Sequence, residues 1–308
     1  MAIRLSSQCF YLRNLSQRPR QTHALRESDV SLLVFSVDMM IYHYTSLESL
    51  ALILKNQTLL FNRLDCVDDI EEGSVESSGI YIGKYVFVSC WTESSEESIP
   101  LWKMYAGDKM GVRIGLEKDM FRKYLIMNPK WGGQQWQGSM MLPLPPEAFD
   151  AKDHFVLPIL TQDGDFFYRK IQYVDDVASK TKDAVVITPD GTGKAEAKIS
   201  FGEIGRYKHK RWAFQEETRF VLTILPFNPL LANPDDVGSI AISYYMQNKP
   251  ISFTRYFMHL DSSAVSNIEI TLSPNATEGQ RVIVEALARQ YAPNAVIKNS
   301  VLGPLVKF

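Results

Sequence analysis

Cysteine is scarce in this chain: Cys9, Cys66 and Cys90 are the only 3 among 308 residues. An odd count with no close pair supplies neither a disulfide framework nor a zinc knuckle, and such sparse usage suits a reducing cytosol. Long apolar runs are also missing. The best N-terminal stretch, Ser31 to Val37, falls far short of the ~18 residues of a membrane-spanning helix. Neither sign of charge is in excess: 33 Lys+Arg stand against 35 Asp+Glu, a net charge of -2. Nothing global therefore calls for nucleic acid or an anionic membrane, although a local basic patch is compatible with that total. No His-x-x-x-His or Cys-x-x-Cys occurs, so no metal is expected. Gly191-Thr192-Gly193-Lys194 follows a Pro-Asp turn and lacks the remainder of a phosphate-binding loop. A Gly-x-Ser-x-Gly nucleophile elbow is absent, as are internal repeats and low-complexity tracts.

What is present reads as an ordinary globular chain, 45% hydrophobic and 22% charged. Residues 1–38 differ from the rest: Arg4, Arg13, Arg18, Arg20 and Arg26 all precede the first acid, Glu27. That bias is like a transit peptide, but Met39-Met40 stands just before a well-patterned region. The expectation is an N-terminal extension, poorly ordered or an upstream start, followed by one domain over 39–308. Ile41 to Tyr44 predicts a strand; Ser46 then caps a helix with Leu47, Leu50, Ala51 and Leu54 on one face. Strands are expected at 58–61, 85–91, 111–116, 166–174, 218–225, 251–259, 268–272 and 295–298. Helices are expected at 98–106, 117–127, 197–212 and 277–291. Residues 128–164, with Gly132-Gly133, Pro143, Pro145 and Pro146, predict an irregular insertion, and Pro189-Asp190-Gly191 a turn. Strands outnumber clean strand–helix–strand units, so the fold class is α+β: a mixed, mainly antiparallel sheet with flanking helices.

Four segments, in order over residues 41–303, resemble the bacterial domain of unknown function 2971 family. They are Tyr42-His43-Tyr44-Thr45-Ser46 with Thr58 to Phe61; Val86 to Trp91 leading into Leu101-Trp102-Lys103-Met104-Tyr105 and Gly111 to Gly115; Lys208, Trp212 and Gln215-Glu216-Glu217-Thr218-Arg219; and Leu272 to Thr277 with Asn299-Ser300. The chain departs from the family pattern twice. Val67-Asp68-Asp69-Ile70-Glu71-Glu72 lacks the family's Asn and Pro, and Gln215 replaces the first Glu of Glu-x-Glu-x-Arg. At fold level the order of His43, Ser89 and Gln215-x-Glu217 is similar to that of ADP-ribosyltransferases, whose activity belongs to sites rather than to the fold. The resemblance implies NAD as substrate, with a protein or nucleic-acid acceptor, in a cytoplasmic transferase of toxin or phage-defence type. Glu217 would stabilise the oxocarbenium-like ribose as nicotinamide leaves. Gln215, two residues along the same strand, would orient the acceptor. His43 would hold the adenosine ribose, and Tyr44, Ser89, Trp102, Tyr105 and Arg219 would complete the NAD-binding set.

Each of these residues has a plainer rival reading. His43 serves equally as a partly buried histidine bonded to backbone, Ser89 as strand packing, and Trp102 with Tyr105 as core. Glu217 and Arg219 on one strand face form a natural ion pair. The alternative function is therefore a non-catalytic sensor or interaction domain. A third reading, a nuclease or nucleotide-binding protein, would join the acidic 68–72 segment to the basic Lys208-His209-Lys210-Arg211.

Overall fold

The computed structural model describes residues 39–107, 110–128, 130–131, 134–135, 137–157, 167–189, 195–233 and 236–306. The expected N-terminal extension, the Gly132-Gly133 pair and the Pro189-Asp190-Gly191 turn beyond Pro189 lie outside these residues.

The chain opens with β1 (Met40–Ser46), α1 (Leu47–Asn56), β2 (Thr58–Arg63), α2 (Ile70–Gly73), β3 (Glu76–Ser77), β4 (Ile80–Tyr81), β5 (Val86–Thr92), α3 (Ile99–Tyr105) and β6 (Gly111–Glu117). The middle holds β7 (Tyr124–Met127), β8 (Lys130–Trp131), β9 (Gln134–Gln135), β10 (Ser139–Leu142), β11 (Phe155–Val156), β12 (Tyr168–Lys170), β13 (Gln172–Val174), α4 (Val177–Thr181), β14 (Val185–Pro189), β15 (Ala195–Ile199) and β16 (Tyr207–His209). It ends with β17 (Glu217–Leu225), α5 (Val237–Met246), β18 (Arg255–His259), α6 (Ser262–Ser266), β19 (Glu269–Leu272), α7 (Glu278–Tyr291) and β20 (Val296–Lys298).

Ten strands form one sheet whose spine runs β11-β17-β5-β1-β6-β19-β20. It is antiparallel apart from the β19–β20 pair. The fold is α+β, as expected. The sheet forks at β5. The end of β5 meets β1 through Thr92, while its start meets β2 through Phe87 and Val88, and β18 extends the β2 arm. Strand β17 forks in the same way, holding β12 near its start and β11 near its end.

Local chemistry explains the elements that place the site. The Ser46 hydroxyl accepts the Ser49 amide at 3.1 Å and so starts α1. Leu47, Leu50 and Leu54 bury one face of that helix. Gln57, in the left-handed region at φ 51°, stops it. Replacing Ser46 by alanine should cost about 1 kcal/mol in chemical denaturation, the usual value of such a cap. A capping box between Thr277 and Gln280 starts α7.

Two expected helices do not form. Residues 117–127 carry Met120, Phe121 and Tyr124 at helical spacing, yet Met120 and Phe121 plug into the core from an irregular turn. Tyr124–Met127 then pairs antiparallel with Ser139–Leu142 from the segment expected to be irregular. Residues 197–212 likewise split into the end of β15, a turn, β16 and a short 3-10 helix at Lys210–Gln215. There β16 is claimed by parallel pairing with β13, a long-range partner that overrides local pattern. Helix α5 occupies a stretch for which no element was expected. Strand 251–259 is shorter than expected, beginning at Arg255.

Candidate functional site

Strand register decides which candidate residues can meet, because directly opposed residues point to the same sheet face. Glu217 lies opposite Thr92, and Arg219 opposite Cys90. Tyr42 of β1 also lies opposite Thr92. One face therefore carries Glu217, Arg219, Cys90, Tyr42 and Tyr44. Ser89 opposes Phe220, and Trp91 opposes Thr218, so these belong to the other face. His43 joins them there, its ring 5.2 Å from that of Trp91. The expected line of His43, Ser89 and Glu217 is thus split across the sheet by the two-residue period of the strand. His43 Nδ1 instead bonds the Cys90 carbonyl at 2.7 Å, and burial, only partly opposed by that bond, lowers its pKa. The Ser89 hydroxyl accepts the Trp91 indole N–H at 3.1 Å. Ser89 thus bonds within its own face, and His43 bonds the sheet backbone.

On the Glu217 face, four expected residues do converge, joined by two that sequence reasoning placed elsewhere. Arg219 is 0% exposed and lies between two carboxylates. Its Nε donates to Glu217 Oε1 at 2.8 Å, and its Nη1 and Nη2 reach Glu72 and Glu217 respectively. Lys208, carried inward on β16, donates to Glu217 Oε2 at 2.9 Å and to Gln215 Oε1 at 2.8 Å. The Gln215 amide donates to the Tyr105 hydroxyl at 2.7 Å, and that hydroxyl donates to Asp68 at 2.5 Å. A hydrogen-bonded chain thus runs from Tyr105, 37% exposed on α3, down to Glu217, 5% exposed. The Glu217 amide donates to the Tyr173 hydroxyl at 2.8 Å, fixing the start of β17.

The four central charges, Glu72, Glu217, Arg219 and Lys208, cancel. Burial alone would raise the Glu217 pKa, but Arg219 and then Lys208 outweigh it and hold the carboxyl down at about 2. Glu72 shifts the other way. Its burial exceeds the pull of Arg219, and the Glu217 charge adds repulsion, so its pKa is raised. For Lys208, burial works against the ammonium, yet Glu217 and Glu72 leave its pKa raised. The Cys90 thiol is pushed well up, by burial first and then by Glu217. Tyr105 is raised by burial and by the adjacent Asp68.

Tyr44 and Trp102 belong to a neighbouring apolar cluster rather than to this chain of polar groups. Their rings meet edge to face at 5.0 Å, and Leu101 and Ala106 complete the cluster. The Trp102 indole donates to Glu97 at 2.9 Å, and Glu97 also accepts the Val301 amide at 2.8 Å and the Ser300 hydroxyl.

The acidic 68–72 and basic 208–211 segments meet where Glu72 approaches Lys208, while their other charged members bond elsewhere. Glu72 lies 4.0 Å from Lys208 and bonds Arg219. Asp69 caps α2 by accepting the Glu71 and Glu72 amides. His209 caps the 3-10 helix at Lys210–Gln215, and Lys210 pairs with Asp175. Among the described residues, no group of three or more His, Cys, Asp and Glu side chains is placed to hold a metal ion. Nor is any helix among them long and apolar enough to cross a membrane.

Glu72 and Lys208 entered the sequence reading as candidate site residues only through the nuclease or nucleotide-binding alternative, not as partners of Glu217 and Arg219. Glu72 stands 147 positions from Arg219, and no local pattern links them. Lys208 sits in a basic run of a kind usually solvated, and only the β13 pairing turns it inward. Comparison with protein-family models, with curated proteins and with solved structures returned no match, so the functional reading rests on this geometry.

Proposed function

We propose that this chain is a non-catalytic sensor or interaction domain acting in the cytoplasm, in which the Glu217 network holds the fold together. One observation carries this reading: both Glu217 carboxylate oxygens are occupied, Oε1 by Arg219 and Oε2 by Lys208, and the group is 5% exposed. A carboxylate that stabilises a ribosyl cation must face the sugar, and its charge must be available to it. Here two cations already hold that charge, and the expected His43 and Ser89 partners point through the sheet to its other side.

The rival reading is ADP-ribosyl transfer from NAD to a protein or nucleic-acid acceptor. It draws on the convergence of Gln215, Glu217, Arg219 and Tyr105 along one hydrogen-bonded chain. One assay separates the two. Purified protein incubated with nicotinamide-labelled NAD and candidate acceptors is expected to release no nicotinamide, while Glu217→Gln melts at a lower temperature. Release by the wild type, abolished in a Glu217→Gln protein that keeps its melting temperature, would establish the transferase instead.

A further inference from the structure

Away from the ionic network, a cavity of about 450 Å³ lies between the loop after β19, the first turns of α7 and residues 299–304. That volume is within the usual range for small-molecule sites, roughly 300–1,000 Å³. A second cavity, bounded by Ile80, Tyr85 and Tyr245 and about 10 Å³ in volume, holds at most one water molecule. We infer that the larger cavity binds a small zwitterion of the amino-acid class, its carboxylate on Arg281 and its ammonium on Glu278. This deepens the sensor reading proposed above by naming what is sensed.

The charges on the wall select the class. Arg281 and Glu278 are the charged side chains lining the cavity, one of each sign. Arg281 donates to Asn299 and, at 3.5 Å, to Glu285. A guanidinium has five N–H donors in a planar fork, so several remain to take a carboxylate edge-on. Glu278 is exposed at the first position of α7. A dinucleotide or other polyphosphate would set two or more negative charges against one guanidinium that already pairs with Glu285, and beside Glu278, which repels them. A ligand with one carboxylate and one ammonium matches the two signs of charge on the wall, using the Arg281 N–H groups left by Glu285 and Asn299. Pro274, Ala276 and Pro304 supply an apolar wall for a side chain.

The walls are also held in place by the protein itself. The Thr277–Gln280 capping box fixes the start of α7, and the Ser300 hydroxyl is tied to Glu97. Gly303 sits so close to the loop that a Cβ there would come 3.1 Å from the Pro274 carbonyl. A site preformed in this way loses little affinity to ordering its own groups.

The test is titration calorimetry on the full chain with each of the twenty standard amino acids, inorganic phosphate and NAD. Wild type, Arg281→Met and Glu278→Gln are compared, and a melt of each unliganded variant reports folding. At least one amino acid should bind the wild type, with Kd rising about tenfold or more in Arg281→Met, the loss of a charge-assisted bidentate pair. Glu278→Gln should weaken the same amino acid but not its deaminated analogue, and this arm stands if Arg281→Met does not fold. Absence of binding by any amino acid, unchanged binding in both variants, or Arg281-dependent binding of phosphate or NAD in preference would overturn the proposal. NAD turnover in the earlier assay would remove the sensor reading while leaving Arg281-dependent amino-acid binding as its own result.

Discussion

Glu217→Ala is expected to lower the unfolding free energy by about 3–5 kcal/mol, the range for breaking a buried ion pair by removing one partner. The cause is less the lost attraction than what is left behind. Arg219 and Lys208, 0% and 2% exposed, would share the single carboxylate of Glu72. Gln215 would keep its bond to Lys208, but the Glu217 oxygens that accept from both cations would be gone. Urea denaturation by circular dichroism measures the loss. The double variant Glu217→Gln with Lys208→Met restores charge balance between Glu72 and Arg219, and should recover part of it. A loss below about 1 kcal/mol for Glu217→Ala would mean that water reaches the network and screens it, as at an exposed pair.

Arg219→Met should be comparably destabilising at neutral pH, about 3–5 kcal/mol by the same reasoning, and its pH dependence should differ from that of the wild type. In the wild type, Glu217 has a folded pKa of about 2, depressed below its unfolded value of 4.5. A depressed carboxylate contributes stability above its unfolded pKa, and that contribution is lost as pH falls from about 4.5 toward 2. Glu72 has the opposite sign: its raised folded pKa costs stability while it is ionised and ceases to do so once it takes up a proton. Without Arg219, both carboxylates face each other with only Lys208 between them, so the raised behaviour dominates. The variant should gain stability relative to the wild type as pH is lowered from 7 toward 5. Denaturation midpoints of the two proteins, measured in parallel across that interval, should approach one another. A constant gap would refute the assignment of Arg219 as the charge that keeps Glu217 ionised.

Much of the scaffold was legible where short-range chemistry decides the outcome. Ser46 with the Leu47, Leu50 and Leu54 stripe, Thr277 at the start of the last helix and the apolar, β-branched run of β17 each carry their own signal, and the structure follows them. The sequence was ambiguous where a distant partner decides. Residues 124–127 resemble a helix until their pairing with residues 139–142 is known. The same physics limits the site. Glu217 and Arg219 were visible as a same-face pair because two-residue alternation is local. That the pair would be completed by Glu72 and Lys208 depends on α2 and β16 packing beneath β17, which no spacing encodes. His43 and Ser89 were misplaced with respect to Glu217 because chain order says nothing about which side of a sheet a strand presents; one residue of register reverses it.

The forked sheet also has a consequence for how the molecule assembles. Strand β5 is flanked by β1 and β2 from the N-terminal side of the chain, but its other edge waits for β17, more than a hundred residues later. Until β17 arrives, Glu72 has no guanidinium to receive it. A chain emerging from the ribosome therefore gains little by closing its first half early, since doing so would bury a bare carboxylate. Arrival of Arg219 supplies the counter-charge and the missing sheet neighbour in one event, so that the β5 and β17 regions commit to their final structure together.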